Sequence, residues 1–113
     1  MSAIDQVTQH FDALAIRCIE VPEWDLEIYV KPFTLAEKSK IYKLAQDDDL
    51  ALMAYVLIHK ALDRQGNPLF TLEDKIKLMR HADVNVVSRL AADIMLAPEV
   101  SEQKKPSRTN RKA

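Results

Sequence analysis

Apolar residues recur in the first segment at Ile4, Val7, Phe11 and Leu14, three to four positions apart. That spacing makes one stripe on a helix over about residues 3–14. A helix this short is marginal alone, so the stripe needs something to pack on. The period then changes. In LEIYVK, Leu26, Ile28 and Val30 alternate with Glu27, Tyr29 and Lys31, the period of a half-buried strand. The preceding AIRCIEV is rich in β-branched residues but alternates less cleanly. Pro22-Glu23-Trp24-Asp25 lies between the two runs and suits a turn. The pattern predicts a β-hairpin over about 15–32. A lone hairpin is barely stable in water, so its Leu26/Ile28/Val30 face is expected to lie on helices.

Beyond Pro32 the period is helical. Thr34 with Glu37 fits a capping box, and the helix is expected to run to about Gln46 with Ile41, Leu44 and Ala45 inward. Asp47-Asp48-Asp49 suits the positive N-terminus of a next helix, about 49–63. Its LALMAYVLI centre is apolar on every side, as in a core helix or one shared between core and interface. Residues 64–68 form a loop containing the single glycine. Thr71 with Asp74 starts another helix, to about Arg80. Asp83 caps a last helix, 84–97, with Val87, Leu90, Ala91 and Ile94 on one face and Pro98 at its end. From Glu99 the chain is polar, basic and aperiodic, the pattern of a disordered tail. The expected fold is α+β and predominantly α: about four to five helices with one N-terminal β-hairpin. It forms a single domain over 1–98, followed by the tail 99–113.

Composition fits this reading. A length of 113 residues suits one domain, and one glycine in that length implies few sharp turns. The net charge of −1 is unevenly spread. From Pro98 onward there are five basic and two acidic residues, leaving −4 on the first 97. An acidic body argues against a nucleic-acid surface. The longest apolar run, Leu50–Ile58, falls well short of the roughly 20 residues that span a bilayer. The N-terminus is too polar for a signal peptide, and a lone cysteine forms no internal disulfide. A cytosolic protein is expected, with no membrane partner.

Candidate chemistry is sparse. His10, His59 and His81 lie in different segments without metal-ligand spacing. Cys18 has no activating base nearby in sequence and reads as a small core residue. The Asp47–Asp49 run lacks the alternation of a calcium loop. No phosphate loop, nucleophile elbow or paired-cysteine motif occurs. The expectation is a binding protein, not an enzyme, with no cofactor and no metal. Trp24, the only tryptophan, either folds over the hairpin to cap the core or anchors a partner. The 72–97 helix pair has the outline of a helix-turn-helix, which keeps a small DNA-binding regulator as the alternative. Its second helix offers only Asn85, Ser88, Arg89 and Asp93 to DNA, so no specific nucleic acid is expected.

The run VPEWDLEIYVKPFTLAEKSKIY resembles the tail assembly chaperones of long-tailed bacteriophages with flexible, non-contractile tails. The resemblance is carried by Val21, Pro22, Glu23, Trp24, Tyr29, Val30, Pro32, Thr34 and Glu37. A loop of Asp63, Gly66, Pro68, Leu69 and Phe70 extends it, and the likeness spans about residues 15–97. It implies binding to the tape measure protein, keeping that long helical molecule soluble, and helping to recruit the tail tube protein. It also implies a short form of a product extended by translational frameshift. Gln103-Lys104-Lys105 suits an A-rich slippery run. The implied location is the host cytoplasm, with absence from the mature virion. Coating a helical client needs many copies and apolar patches, so self-association is expected too. The apolar surplus at 50–58 and the hairpin supply the candidate partner-binding residues Trp24, Tyr29, Leu52, Tyr55 and Val56.

Overall fold

The computed structural model describes residues 2–96. The expected tail 99–113, and the helix end at 97, lie outside the described residues. The elements in order are α1 (Ala3–Asp12), β1 (Arg17–Val21), β2 (Leu26–Val30), α2 (Leu35–Ala45), α3 (Asp49–Lys60), α4 (Lys75–His81) and α5 (Val84–Met95). Short 3-10 turns at Pro22–Trp24 and Leu72–Asp74 complete the order. This is the expected predominantly α architecture with one N-terminal hairpin.

The hairpin is antiparallel, with Arg17 opposite Val30, Ile19 opposite Ile28 and Val21 opposite Leu26. Val21, Ile28 and Val30 are buried and join Ile41, Val56, Leu57, Leu90 and Ile94 in one core. Each of these side chains contributes roughly 1.5–3 kcal/mol on leaving water. Leu26 does not follow Ile28 and Val30 inward. It sits at the hairpin tip and is exposed, although Val21 opposite it is buried. Cys18 is likewise exposed rather than in the core, because the pleat turns Cys18 and Glu20 outward and Val21 inward.

Polar side chains at the open end of the hairpin tie it to the bundle. The Arg17 guanidinium donates to the carbonyls of Asp93 and Ile94 at the end of α5, where helix geometry leaves carbonyls short of partners. Lys60 is 4% exposed, and its Nζ donates to Glu37 Oε1 at 3.0 Å and to the Pro32 carbonyl at 3.3 Å. The same ammonium lies 4.6 Å from the centre of the Phe33 ring. One buried cation thus joins α3, the start of α2 and the strand-to-helix linker.

The capping boxes at Thr34/Glu37 and Thr71/Asp74 both form. The second opens a 3-10 turn that leads into α4. The 49–63 helix stops early, at Lys60. The outer edge of β2 needs hydrogen-bond partners, and Leu62 supplies them. Tyr29 N–H donates to the Leu62 carbonyl at 2.8 Å, and Leu62 N–H donates back to Tyr29 at 3.0 Å. Leu69 N–H then reaches the Ala61 carbonyl at 3.0 Å. Asp63 Oδ1 accepts from the N–H groups of Gln65 and Asn67, shaping the turn between them.

α3 packs against α2, α4 and α5 together, and this consumes most of its apolar surplus, with Leu50 left exposed. Ala51, Ala54, Val56, Leu57 and Ile58 are all buried. α2 meets α3 through Ile41 and Ala45, while Leu44, expected inward, borders solvent. The α1 stripe fares differently again. The Ser2/Asp5 capping box holds the helix start, yet no residue of α1 is buried, and Ile4 and Val7 are 65% and 60% exposed.

Candidate partner-binding surface

Pro22–Trp24 forms a 3-10 turn in which proline supplies a pre-set φ at the first position. Asp25 closes it in the left-handed region at φ 54°, with its N–H on the Pro22 carbonyl at 3.2 Å. This turn delivers Trp24 edge-on to Phe70, with ring centroids 6.3 Å apart and planes at 80°. That T-shaped contact holds the indole half-buried. Glu23 points the other way and takes both Arg89 nitrogens, at 2.7 and 2.8 Å. The Arg89 hydrogen bonds, aided by the backbone, pull the Glu23 carboxyl from 4.5 down to about 2.

Trp24, Leu26, Leu69, Phe70, Leu78 and Ala82 wall an open groove of about 470 Å³ between the hairpin tip and α4. Asp74, Lys77 and His81 form its polar rim. Asp74 already accepts from Thr71 N–H at 2.9 Å in the capping box. Lys77 has no ion-pair partner among the described residues.

The five predicted residues do not share one surface. Only Trp24 lines this groove. Tyr29 lies across the ridge of Leu26 and Leu69, in a hollow of about 570 Å³ with Glu20, Asp25, Glu27 and Asp63. There its hydroxyl meets the Arg64 guanidinium, which also reaches Glu27 at 3.3 Å. Leu52 and Tyr55 are half-buried on α3. Lys75 Nζ stands 5.0 Å from the centre of the Tyr55 ring, which itself neighbours His59. Val56 is 0% exposed, so a partner reaches its side chain only if the core opens.

Sequence reasoning overlooked the outer face of α4 and the 3-10 turn before it. Leu72 on the turn and Ile76 and Met79 on α4 recur at i, i+4 and i+7 and are all exposed, while Leu78 and Ala82 turn inward. Met79 also borders a small hollow of about 150 Å³ with Leu50, Val84 and Val87. The signal was present as a second apolar period running from the 3-10 turn into the short helix. The helix-turn-helix alternative gains nothing from the geometry. α5 spends Val86, Val87, Leu90, Ala91 and Ile94 on the core, and its one arginine is engaged by Glu23. No helix among the described residues is long and apolar enough to cross a membrane.

Comparison with protein-family models and with curated protein sequences gives no match. Among solved structures, that of the bacteriophage HK97 tail assembly chaperone is similar, with a TM-score of 0.59 at 14% sequence identity. The match covers 80% of this chain and 92% of that one. The protein therefore has the fold of a phage tail assembly chaperone.

Proposed function

We propose that the protein is a tail assembly chaperone that acts by binding rather than catalysis. Its client is the tape measure protein, which it keeps soluble while helping to recruit the tail tube protein. The observation that carries this reading is the shared fold over 80% of the chain at a TM-score of 0.59. The hairpin signature around Pro22, Trp24, Tyr29 and Pro32 supports it independently of the fold. Exposed apolar side chains on α1 and α4 suit a protein that covers a helical client. Trp24 is the partner-facing residue of the hairpin. Tyr29, Leu52 and Tyr55 are secondary contacts at most, given their scattered placement.

Several copies act on one client and associate with each other. The chain is the short form of a frameshifted pair, works in the host cytoplasm and is left out of the virion. The test is co-expression with the long helical protein encoded just downstream. A soluble, salt-resistant complex that depends on this chain is the expected outcome. Unchanged partner solubility would reduce the assignment to its fold alone.

A further inference from the structure

α1 and α2 each present a face that no described residue covers. Ile4 and Val7 of α1 are 65% and 60% exposed, and Phe11 lies half-buried one turn further on. On α2, Leu35 is 91% and Tyr42 47% exposed, with Ser39 exposed between them on the same face. The two helices carry opposite charge. Residues 2–16 hold Asp5 and Asp12 and no lysine or arginine. Along α2, Lys38, Lys40 and Lys43 form no ion pair among the described residues. The one acid of α2, Glu37, is taken by Lys60 at 3.0 Å. The Asp47–Asp49 run lies past the end of α2, where Asp48 caps α3.

From this charge complementarity we infer that α1 of one copy docks on α2 of a second copy. The stripe of Ile4, Val7 and Phe11 lies on Leu35, Ser39 and Tyr42, and the α1 carboxylates meet the α2 lysines. Charge disfavours the other exposed faces. Two α1 helices would set Asp5 and Asp12 against their own copies, a like-charge contact. The face of Leu72, Ile76 and Met79 lies among Glu73, Asp74 and Asp83 as well as Lys75, Lys77 and Arg80, so it selects neither sign. Within one chain α1 already ends beside the start of α2. Phe11 and Asp12 border a hollow of about 360 Å³ with Pro32 and Thr34, yet both faces stay exposed. A contact of α1 on α2 is heterologous, so it propagates into a ring or a filament. The inference rests on the reading that several copies act on one client, and it names the surfaces that join them.

Sedimentation velocity on the full chain reads the contact. Association that rises with concentration is expected. Val7→Asp is expected to abolish it with the urea unfolding midpoint unchanged, because Val7 is exposed. Asp12→Lys and Lys43→Glu, both at exposed positions, are each expected to weaken association about threefold to fivefold. Mixed together, these two variants are expected to associate nearly as tightly as wild type, since each helix then meets the opposite charge. High salt is expected to narrow these differences. Cysteines identify the surfaces. In a Cys18→Ser background, a Val7→Cys chain and a Ser39→Cys chain are expected to form a disulfide with each other faster than either does with itself. Cys18 is exposed, so its replacement leaves the core intact.

A monomer at every concentration overturns the inference, as does association that survives Val7→Asp or is not restored by mixing. A Val7→Cys chain that links chiefly to itself also overturns it, since α1 helices would then pair with each other. So does a chain carrying both cysteines that closes on itself in preference to linking copies, since α1 would then cover its own α2. Co-expression with the client separates the two levels of argument. If wild type and Val7→Asp solubilise the client equally and wild type alone stays a monomer, the chaperone reading stands and this inference falls. If wild type self-associates through the linked surfaces but leaves the client insoluble, the chaperone reading falls and the contact between copies stands.

Discussion

Replacing Glu37 by glutamine leaves the Lys60 ammonium inside the protein without its counter-charge. The magnitude follows from the geometry. Breaking a fully buried ion pair from one side costs about 3–5 kcal/mol. Here Lys60 is 4% exposed but Glu37 is 45% exposed, so water screens part of the loss. The Pro32 carbonyl and the Phe33 ring also remain against the cation. The expected destabilisation is about 2 kcal/mol. Lys60→Met is the instructive contrast. It removes the buried charge, keeps an apolar stem in the same space, and leaves Glu37 half in water on its Thr34 N–H bond. Its expected cost is about 1 kcal/mol or less.

Urea unfolding of the two single variants and the double variant closes a cycle. With Lys60 gone, Glu37→Gln has little left to remove, so the double variant is expected within about 0.5 kcal/mol of Lys60→Met. Additive losses, or a Lys60→Met cost equal to that of Glu37→Gln, would refute the claim that a desolvated pair holds the linker. The pH dependence gives a second reading. Burial opposes ionisation of Glu37, but Thr34 and Lys60 together outweigh it and hold the carboxyl below its ordinary value. Its share of stability is complete above about pH 4.5 and is lost as pH falls through the folded value. Glu37→Gln is expected to lack that component.

Gln46 adopts φ 55° and ψ −122°, a region that suits glycine, so Gln46→Gly is expected to stabilise by about 1 kcal/mol in thermal or urea unfolding; a loss would contradict the strain. Carboxyl NMR is expected to show Glu23 titrating near 2, and moving up towards its ordinary 4.5 in Arg89→Gln, with the backbone hydrogen bond still holding it below; an unmoved Glu23 would break the ion-pair account. The contribution of that pair is full above about pH 4.5 and disappears as pH falls towards 2. Burial, then the Lys40 charge, depress the His59 pKa against a weaker opposing pull from Glu37, and the ring's Nε2 is buried without a partner among the described residues. Stability is therefore expected to fall as pH drops below about 6.5, and His59→Leu to flatten that slope between pH 7.5 and 5.5.

Local rules carried much of the fold into the sequence. The alternation of Leu26–Val30 and the Thr34/Glu37 and Thr71/Asp74 pairs each describe interactions within a few residues, and each forms. What periodicity cannot express is the identity of a distant partner. Glu23 finds Arg89, 66 positions away, and Arg17 finds the end of α5. α3 ends at Lys60 because β2 needs Leu62 at its edge, a demand invisible within the helical pattern. Val56 illustrates the same limit. An apolar surplus on one helix looks like an interface until three other helices close around it. α1 and α4, where the pattern looked ordinary, instead leave Ile4, Val7, Ile76 and Met79 in solvent.

The hairpin joins these two observations. Its strands are fixed by polar contacts at both ends: Arg17 and Lys60 at the open end, Glu23–Arg89 at the tip. Leu62 adds backbone bonds along one edge. This fastening fixes the position of the tip, and the tip holds Trp24 against Phe70 beside α4. An aromatic wall ordered before binding loses little conformational freedom when a partner arrives. The Glu23–Arg89 pair then has a role that stability alone would not reveal. Arg89→Gln is expected to loosen the tip, broaden Trp24 emission in the free protein and weaken co-purification of the client more than it lowers the unfolding free energy. Weaker binding in strict proportion to lost stability would leave the pair as a clamp on the fold and nothing more.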